Sequence, residues 1–481
     1  MKNDFVKDKI VFLLYYFRET KWIRRYSAMY FSFSKLDLQK KRQAYKTMYD
    51  RNHLLVKIDK VMDWNYVYSL LKPFYSENTG RPSIDPLVFV KILIIQYVEG
   101  FRSVRFTCKQ IQQHITYRWF LGLSMDDSVP CHSSVSKFLR HRVDPTVWEA
   151  LFDHVLLQIQ KEGFLSPETW AADETELKAN ANKRKRVKVV QTVIEKEDED
   201  VLQLLNEKRL QHGKKPLPPK PPKEVEKEII CSTTDPDAGL SVKHDPRGLF
   251  AFHDHRIVET MHNFILDAHV TSANVLGHRV LMERIERVEQ RIGYVPEEIA
   301  LDAGYYNARL GRELENKGIG AYVSYRRFHR KEHPNCRSIH FRLVEEDVYV
   351  CPCGVKFTYS TSTRAGYHEY KPSVKGSCTG CPAARGKGDR VLRISVHQEV
   401  YEQMRKRRLS LRGKVLRLVR PATIERSFAE SKELHGLRFA RYRGVQYVQI
   451  QVWITAMIQN LKKWIKLRSL QSQGIDLTYH T

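Results

Sequence analysis

Residues 169–177 read TWAADETEL, residues 263–275 NFILDAHVTSANV, and residues 297–307 EEIALDAGYYN. Each is an apolar run of strand length that closes on turn-forming residues, and a helical pattern follows Asn307. Strands alternating with helices make this part of the chain mixed α/β. Two of the runs end in an acid: WAAD in Asp173, and ALD in Asp302, just ahead of Gly304 and Tyr305. Acids at strand ends beside a turn are where α/β folds place active sites. A third acid, Glu425, lies in IERSFAESKELHGLRFARYRG (424–444), which reads as a helix beginning near Pro421. Seven helical positions bring the chain round by nearly two turns, so Glu425 and Lys432 share a face while Ile424 and Phe428 form an apolar pair. Positions 428, 429, 435 and 436 are Phe, Ala, His and Gly, which leaves Lys432 without a helical counter-ion of its own.

Outward from this core, Arg51 to about Gly163 has helical spacing. Ser83 is placed to cap a helix whose first turn holds Asp85 and Pro86, with Leu87, Val90, Ile94 and Tyr97 recurring along it. Ser103 is placed to cap the next helix. After Val129-Pro130, the stretch from Ser133 to Arg142 puts Val135, Phe138 and Leu139 on one face and leaves Lys137, Arg140 and Arg142 for solvent or phosphate. Residues 183–230 carry KRKRVK, EKEDED and KKPLPPKPPK, blocks of like charge and proline that read as an insertion, partly helical or disordered. A second insertion, 326–390, holds Cys351-Pro-Cys353 and Cys378-x-x-Cys381. The second pair has zinc-ribbon spacing and the first is tighter than a typical knuckle, so zinc ligands and free reduced thiols are the two readings. The expected organisation is a basic extension over 1–50, a helical domain over 51–163, and a core from 164–182, 231–325 and 391–467 around the two insertions.

The 481 residues include 81 Lys plus Arg against 55 Asp plus Glu, a formal charge of +26, which favours nucleic acid as partner. At 42% hydrophobic residues the chain can bury a sizeable core, and disorder throughout is excluded. Gly444 to Leu461 lacks charges, but Gln446, Gln449, Gln451, Gln459 and Asn460 would be stranded in hydrocarbon, so a soluble helix is expected and no membrane association. The run Ile10 to Phe17 is too short and bulky for a signal peptide, and the clustered cysteines suit a reducing, cytoplasmic setting.

Three convergent carboxylates stay ionised cheaply only around a cation, and Mg²⁺ or Mn²⁺ prefers such oxygen ligands, as in two-metal phosphoryl transfer. The words around the acids resemble the DDE transposases of bacterial insertion sequences, over roughly residues 50–465. NHLLVKIDK, GRPSIDPLVFVKILIIQYVEGFRSVR and YRWFLGLSMDDSVPCHSSVSKF resemble that family's helical DNA-binding domain. WAADETELKANANKRK, STTDPDAGL, HVTSANV, LDAGYYN and the Glu425 segment resemble its catalytic blocks, in order. The resemblance implies an α/β fold: a ribonuclease-H-like catalytic core with an all-α N-terminal domain and insertions. It makes Asp173, Asp302 and Glu425 the metal-binding acids, and places Lys432 and Arg420 at the DNA. It further implies cleavage of element ends, joining of the 3′-hydroxyl to target DNA, and a homo-oligomer assembled on double-stranded DNA. Many relatives carry a basic residue where this chain has Pro421, and an aspartate where it has Leu276 and Gly277. Asp235, Asp237 and Asp267 read as caps or strand residues, and His269 and His435 as hydrogen-bonded neighbours. A DNA-binding protein descended from a transposase, and a metal-dependent nuclease without strand transfer, are the alternatives.

Overall fold

The computed structural model describes residues 35–475 apart from 46–47, 78, 244, 326–339 and 379–388. Helices α1 (Lys35–Gln43), α2 (Leu54–Val61), α3 (Trp64–Leu71), α4 (Pro86–Val98), α5 (Val104–Gln113), α6 (Ile115–Leu121), α7 (His132–Lys137) and α8 (Thr146–Lys161) come first. Then follow β1 (Thr169–Lys178), β2 (Arg186–Glu195), α9 (Glu199–Gln211), β3 (Lys223–Ser232), β4 (Gly239–Ser241), β5 (Leu249–Glu259) and β6 (Ile265–Ser272). After these come α10 (Gly277–Ile292), β7 (Glu298–Leu301), α11 (Ala308–Asn316), β8 (Gly320–Val323), β9 (Arg342–Glu345) and β10 (Val348–Val350). The chain continues through β11 (Lys356–Thr363), β12 (Tyr367–Pro372), β13 (Leu392–Ser395), α12 (Gln398–Leu409), α13 (Leu411–Arg420), α14 (Arg426–Leu434) and α15 (Val445–Ser472). With β2–β3 and β9–β13 set aside as insertions, the order β1, β5, β6, α10, β7, α11, β8 is that of a ribonuclease-H-like core behind an all-α N-terminal part. The chain folds as two compact units. Of the described residues, one takes those up to Lys185, Ser232–Pro296 and those from Val419; the other takes those of Arg186–Cys231 and Glu297–Leu418.

In the first unit, α4 is buried along almost its whole length, because PLVFVKILIIQYV is apolar on every side. Asp85 rather than Ser83 caps it: with Pro86 at the first helical position, the Asp85 carboxylate accepts from Leu87 N at 2.8 Å and from the Tyr68 hydroxyl at 2.5 Å. Ser103 caps α5 through Phe106 N at 3.1 Å, and Val135, Phe138 and Leu139 are buried together as their spacing requires. The one cation on α4, Lys91, is 4% exposed. Its ammonium lies 3.0 Å from Asp59 and 2.9 Å from the Phe120 carbonyl, over the Trp64 ring, and Arg42 takes the other Asp59 oxygen at 2.8 Å.

Strands β1, β5 and β6 pair antiparallel with β5 in the middle, and β4 extends the β6 edge of β5. Beyond β6 the sheet's edge would leave unpaired backbone, and α15 covers it. Gln449 accepts from Val270 N at 2.6 Å and donates to Ala268 O at 2.9 Å; Asn460 does the same for Ile265, at 2.9 and 2.8 Å. Eleven residues are about three helical turns, so both amides fall on the face toward β6. The uncharged stretch from Gly444 is thus a buried core helix, and no described helix is long and apolar enough to cross a membrane.

In the second unit β7 and β8 pair in parallel around α11, and β9–β13 form an antiparallel sheet ordered β13-β12-β11-β10-β9. Residues 183–230 are ordered rather than loose: β2 and β3 pair, with α9 between them. The charge blocks that suggested disorder meet across the strands, Lys188 with Glu228 at 2.9 Å and Lys227 with Glu195 at 2.7 Å. Cys351 and Cys378 are buried in one apolar cluster with Phe341, Phe357 and Tyr370, while Cys353 is exposed. Cys381 lies outside the described residues.

Burial pushes the Lys91 ammonium down to about 8, against the opposing pull of Asp59. An unfolded lysine titrates near about 10.4, so between these values the unfolded chain binds more protons and stability should rise with pH. Lys91→Met should flatten that alkaline limb in urea unfolding measured from pH 8 to 10.5; a limb unchanged in the variant would assign it to other groups.

Candidate active site

Asp173 sits in β1 opposite Arg256 of β5, and Thr175 opposite Asp254. Directly paired residues point to the same face of a sheet and alternate residues share it, so Asp173, Thr175, Asp254 and Arg256 face one way while Glu174 and Glu176 face the other. The helix carrying Glu425 packs on the Asp173 face. It does not begin at Pro421. It runs from Leu411 through a π-helical turn, Pro421–Glu425, into α14. Proline has no N–H for the preceding turn and its ring crowds the carbonyl there, and a locally widened turn is one way a helix accommodates it. The Thr423 hydroxyl donates to the carbonyls of Val419 and Arg420, at 3.1 and 3.0 Å.

This geometry joins two of the expected acids. One nitrogen of Arg420 donates to Asp173 Oδ2 and another to Glu425 Oε1, each at 2.7 Å. Asp173 and Arg420 are mostly buried, with side chains 16% and 15% exposed, while Glu425 is half exposed at 51%. Arg420, expected from the resemblance at DNA, is therefore engaged by both carboxylates. Lys432 Nζ donates to Thr175 Oγ1 at 2.5 Å. Burial lowers its pKa, and Asp254 beneath it opposes that shift.

Asp302 belongs to the second unit, where it follows β7. Its Oδ1 accepts from Gly304 N at 2.6 Å, and a Cβ at Gly304 would lie 2.9 Å from that oxygen, so a side chain there would displace the Asp302 carboxylate. Asn307 then caps α11 through Leu310 N at 3.2 Å. Lys137, Arg140 and Arg142 end α7 and the π-helical turn Phe138–Arg142 after it; the first two are exposed, and Arg142 lies over the Tyr75 ring at 5.1 Å.

The remaining acids have structural work. Asp235 and Asp237 accept from Gly444 N and Val445 N, both at 3.0 Å, and so cap α15 from two hundred residues upstream. Asp267 takes both nitrogens of Arg284 at 2.8 Å and is also held by Arg291. His435 is fully buried and its Nδ1 lies 2.6 Å from Tyr97 O, which docks the end of α14 on the end of α4. Gly100 is required at this joint, since its φ is +66° and a Cβ would lie 2.4 Å from Leu434 O.

Sequence reasoning passed over Arg256, the residue that fixes α14. Its side chain is wholly buried, paired with Asp254 at 2.7 Å, and donates to Ser427 Oγ at 2.9 Å and Gln459 Oε1 at 3.1 Å, with Phe428 stacked on its guanidinium at 4.9 Å. An arginine two residues after an aspartate, hence on the same face of a strand flanked by apolar residues, is the signal that was available.

Residues 43–141 match the family described as Transposase domain (DUF772), and residues 350–465 match the Transposase DDE domain. With both domains in one chain, the protein is a DDE-type DNA transposase. The second match contains Arg420, Glu425 and Lys432. A comparison with curated proteins returned no match. Among solved structures the chain is similar to a piggyBac transposase in a synaptic complex with hairpin DNA, at 10% identity and a TM-score of 0.36, covering 90% of this chain and 78% of that one.

A DDE domain implies a divalent metal. The donors present suit one: Asp173 and Glu425 offer carboxylate oxygens alone, and they already converge on a single positive group. Arg256→Met should cost about 3–5 kcal/mol in urea unfolding, because Asp254 would stay buried without its partner. Adding Asp254→Leu should recover much of that loss, and equal losses in the single and double variants would disprove the account.

Proposed function

We propose that this transposase cleaves the ends of a bacterial insertion sequence and joins the freed 3′-hydroxyl to target DNA, with Asp173, Asp302 and Glu425 holding Mg²⁺ or Mn²⁺. The observation that carries the reading is the single guanidinium shared by Asp173 and Glu425, with Lys432 on the same face of β1. When bound, the metal would supply Lewis-acid activation of the attacking oxygen and charge stabilisation at phosphorus. The chain's own residues do the rest. Arg420 orients the two acids, with one nitrogen on each carboxylate. Lys432, held toward Thr175, presents a cation to a phosphate beside the acids. Arg256 and Gln459 hold α14 rigid beneath them, as a site built for one geometry requires.

On the same reading, residues 51–163 bind the element's end, with Lys137, Arg140 and Arg142 as phosphate contacts. The +26 charge favours such binding. Two ends must be held together for transposition, so the working form would be a homo-oligomer on double-stranded DNA.

The test uses duplexes bearing the inverted repeats that flank the coding sequence, with Mg²⁺ and a target plasmid. Wild-type protein should release a 3′-hydroxyl and join it. Glu425→Gln, Asp173→Asn and Asp302→Asn should each lose at least about a hundredfold in cleavage and still bind the ends, because an amide is a poor ligand for a hard cation. Wild-type cleavage by any of the three would remove that acid from the site, and cutting without joining would make the protein a nuclease. Lys432→Ala should slow cleavage and lower the slope of log binding constant against log salt by about one contact; unchanged rate and slope would return Lys432 to a packing role.

A further inference from the structure

On the face of β1 away from Asp173, three ligand-type side chains converge: Glu174, His253 and His255, whose donor atoms all lie within 4.8 Å of one another. The pairing of β1 with β5 puts them there, with Glu174 opposite His255 and His253 two residues before it on the same face. All three belong to the first compact unit.

The protonation of both imidazoles can be read from their outer partners. His255 Nε2 lies 2.8 Å from Thr271 Oγ1, and that hydroxyl gives its own hydrogen to Ser272 O at 3.1 Å. With that hydrogen on Ser272 O, the hydroxyl accepts from His255 Nε2, and the ring's Nδ1 is the nitrogen turned inward. His253 Nδ1 lies 2.9 Å from Val275 O, a carbonyl that can only accept, so its Nε2 lone pair is the free one. His255 is 4% exposed, and its Nδ1 stands 3.3 Å from Glu174 Oε2 with neither atom making a hydrogen bond. A buried imidazole nitrogen facing a carboxylate calls for a positive charge between them, a proton or a metal ion. Two ligands about 2.0–2.1 Å from a tetrahedral ion are about 3.3–3.4 Å apart, which suits the observed separation. An imidazole whose other nitrogen donates to a carbonyl or hydroxyl is also the usual outer arrangement of a metal-bound histidine.

We propose that Glu174, His253 and His255 form a binding site for a borderline transition-metal ion of the Zn²⁺ class, separate from the acidic site on the opposite face. Imidazole nitrogens with one carboxylate select such an ion over Mg²⁺. Three protein ligands leave a fourth position for water. The ion would tie β1 to β5, to β6 through Thr271, and to the loop ahead of α10 through Val275. It would thereby stiffen the strand that carries Asp173 on its other side.

The test is Co²⁺ titration of the chelator-stripped full chain in excess Mg²⁺, which occupies carboxylate sites. One equivalent should bind with the visible absorption of a tetrahedral ion and without the near-ultraviolet band of cobalt-bound thiolate, and Zn²⁺ should displace it. His253→Gln and Glu174→Gln should abolish that spectrum, and Thr271→Val, which removes only the outer partner, should weaken binding about 10–100-fold. Circular dichroism of the stripped variants checks their folding, and Thr271→Val serves if either ligand variant fails to fold. An absent spectrum, one carrying the thiolate band, or one that survives His253→Gln and Glu174→Gln would overturn the site and assign the His255–Glu174 approach to a proton.

Discussion

A buried guanidinium, that of Arg256, is the constraint on which the catalytic half depends. It has no access to water, so its charge must be met within the protein, and Asp254, Ser427 and Gln459 meet it from three separate elements. That requirement ties β5, the Glu425 helix and α15 into one arrangement. Hydrophobic packing would tolerate small slides of α14, whereas hydrogen bonds from one planar group fix its rotation and height. The height matters because Arg420, Glu425 and Lys432 lie along that helical path and each reaches back to β1 or to its neighbour.

Helix α15 extends the same logic. Its amides replace a missing strand along β6, and Gln451 accepts from Arg441 N at 2.8 Å and donates to Phe439 O at 3.0 Å, closing the turn after α14. The helix starts where two aspartates from the β3–β4 turn cap it. Through His435, Tyr97 and Gly100 the N-terminal helices join this arrangement within the same compact unit. A change of position in α4 therefore meets the Glu425 helix directly, without a flexible linker between.

The two faces of β1 illustrate how a strand serves two chemistries. Asp173 and Thr175 face the cations Arg420 and Lys432, while Glu174 one residue on faces imidazoles. Strand alternation keeps these environments apart at a spacing of one residue.

Much of the architecture was legible in the residues because local patterns carry it. Strand runs closing on turns gave the mixed α/β core, apolar spacing gave the N-terminal helices, and the amides of residues 446–460 argued for a core helix instead of a membrane span. Ordered words around Asp173, Asp302 and Glu425 gave the family, which the two domain matches support independently. Other features rest on partners far apart in sequence, which no local pattern encodes. Pro421 read as a helix start and lies inside a helix, because a π-turn accommodates its ring and its missing donor. The charge blocks of 183–230 read as partly helical or disordered; a helix is present, and the strands on either side of it pair through their charges. Lys432 lacked a counter-ion on its own helix and found Thr175 on β1, and Arg420 lies between two acids. Periodicity and composition determine what a segment can become; burial decides which charges must meet, since only the folded chain removes water from around them.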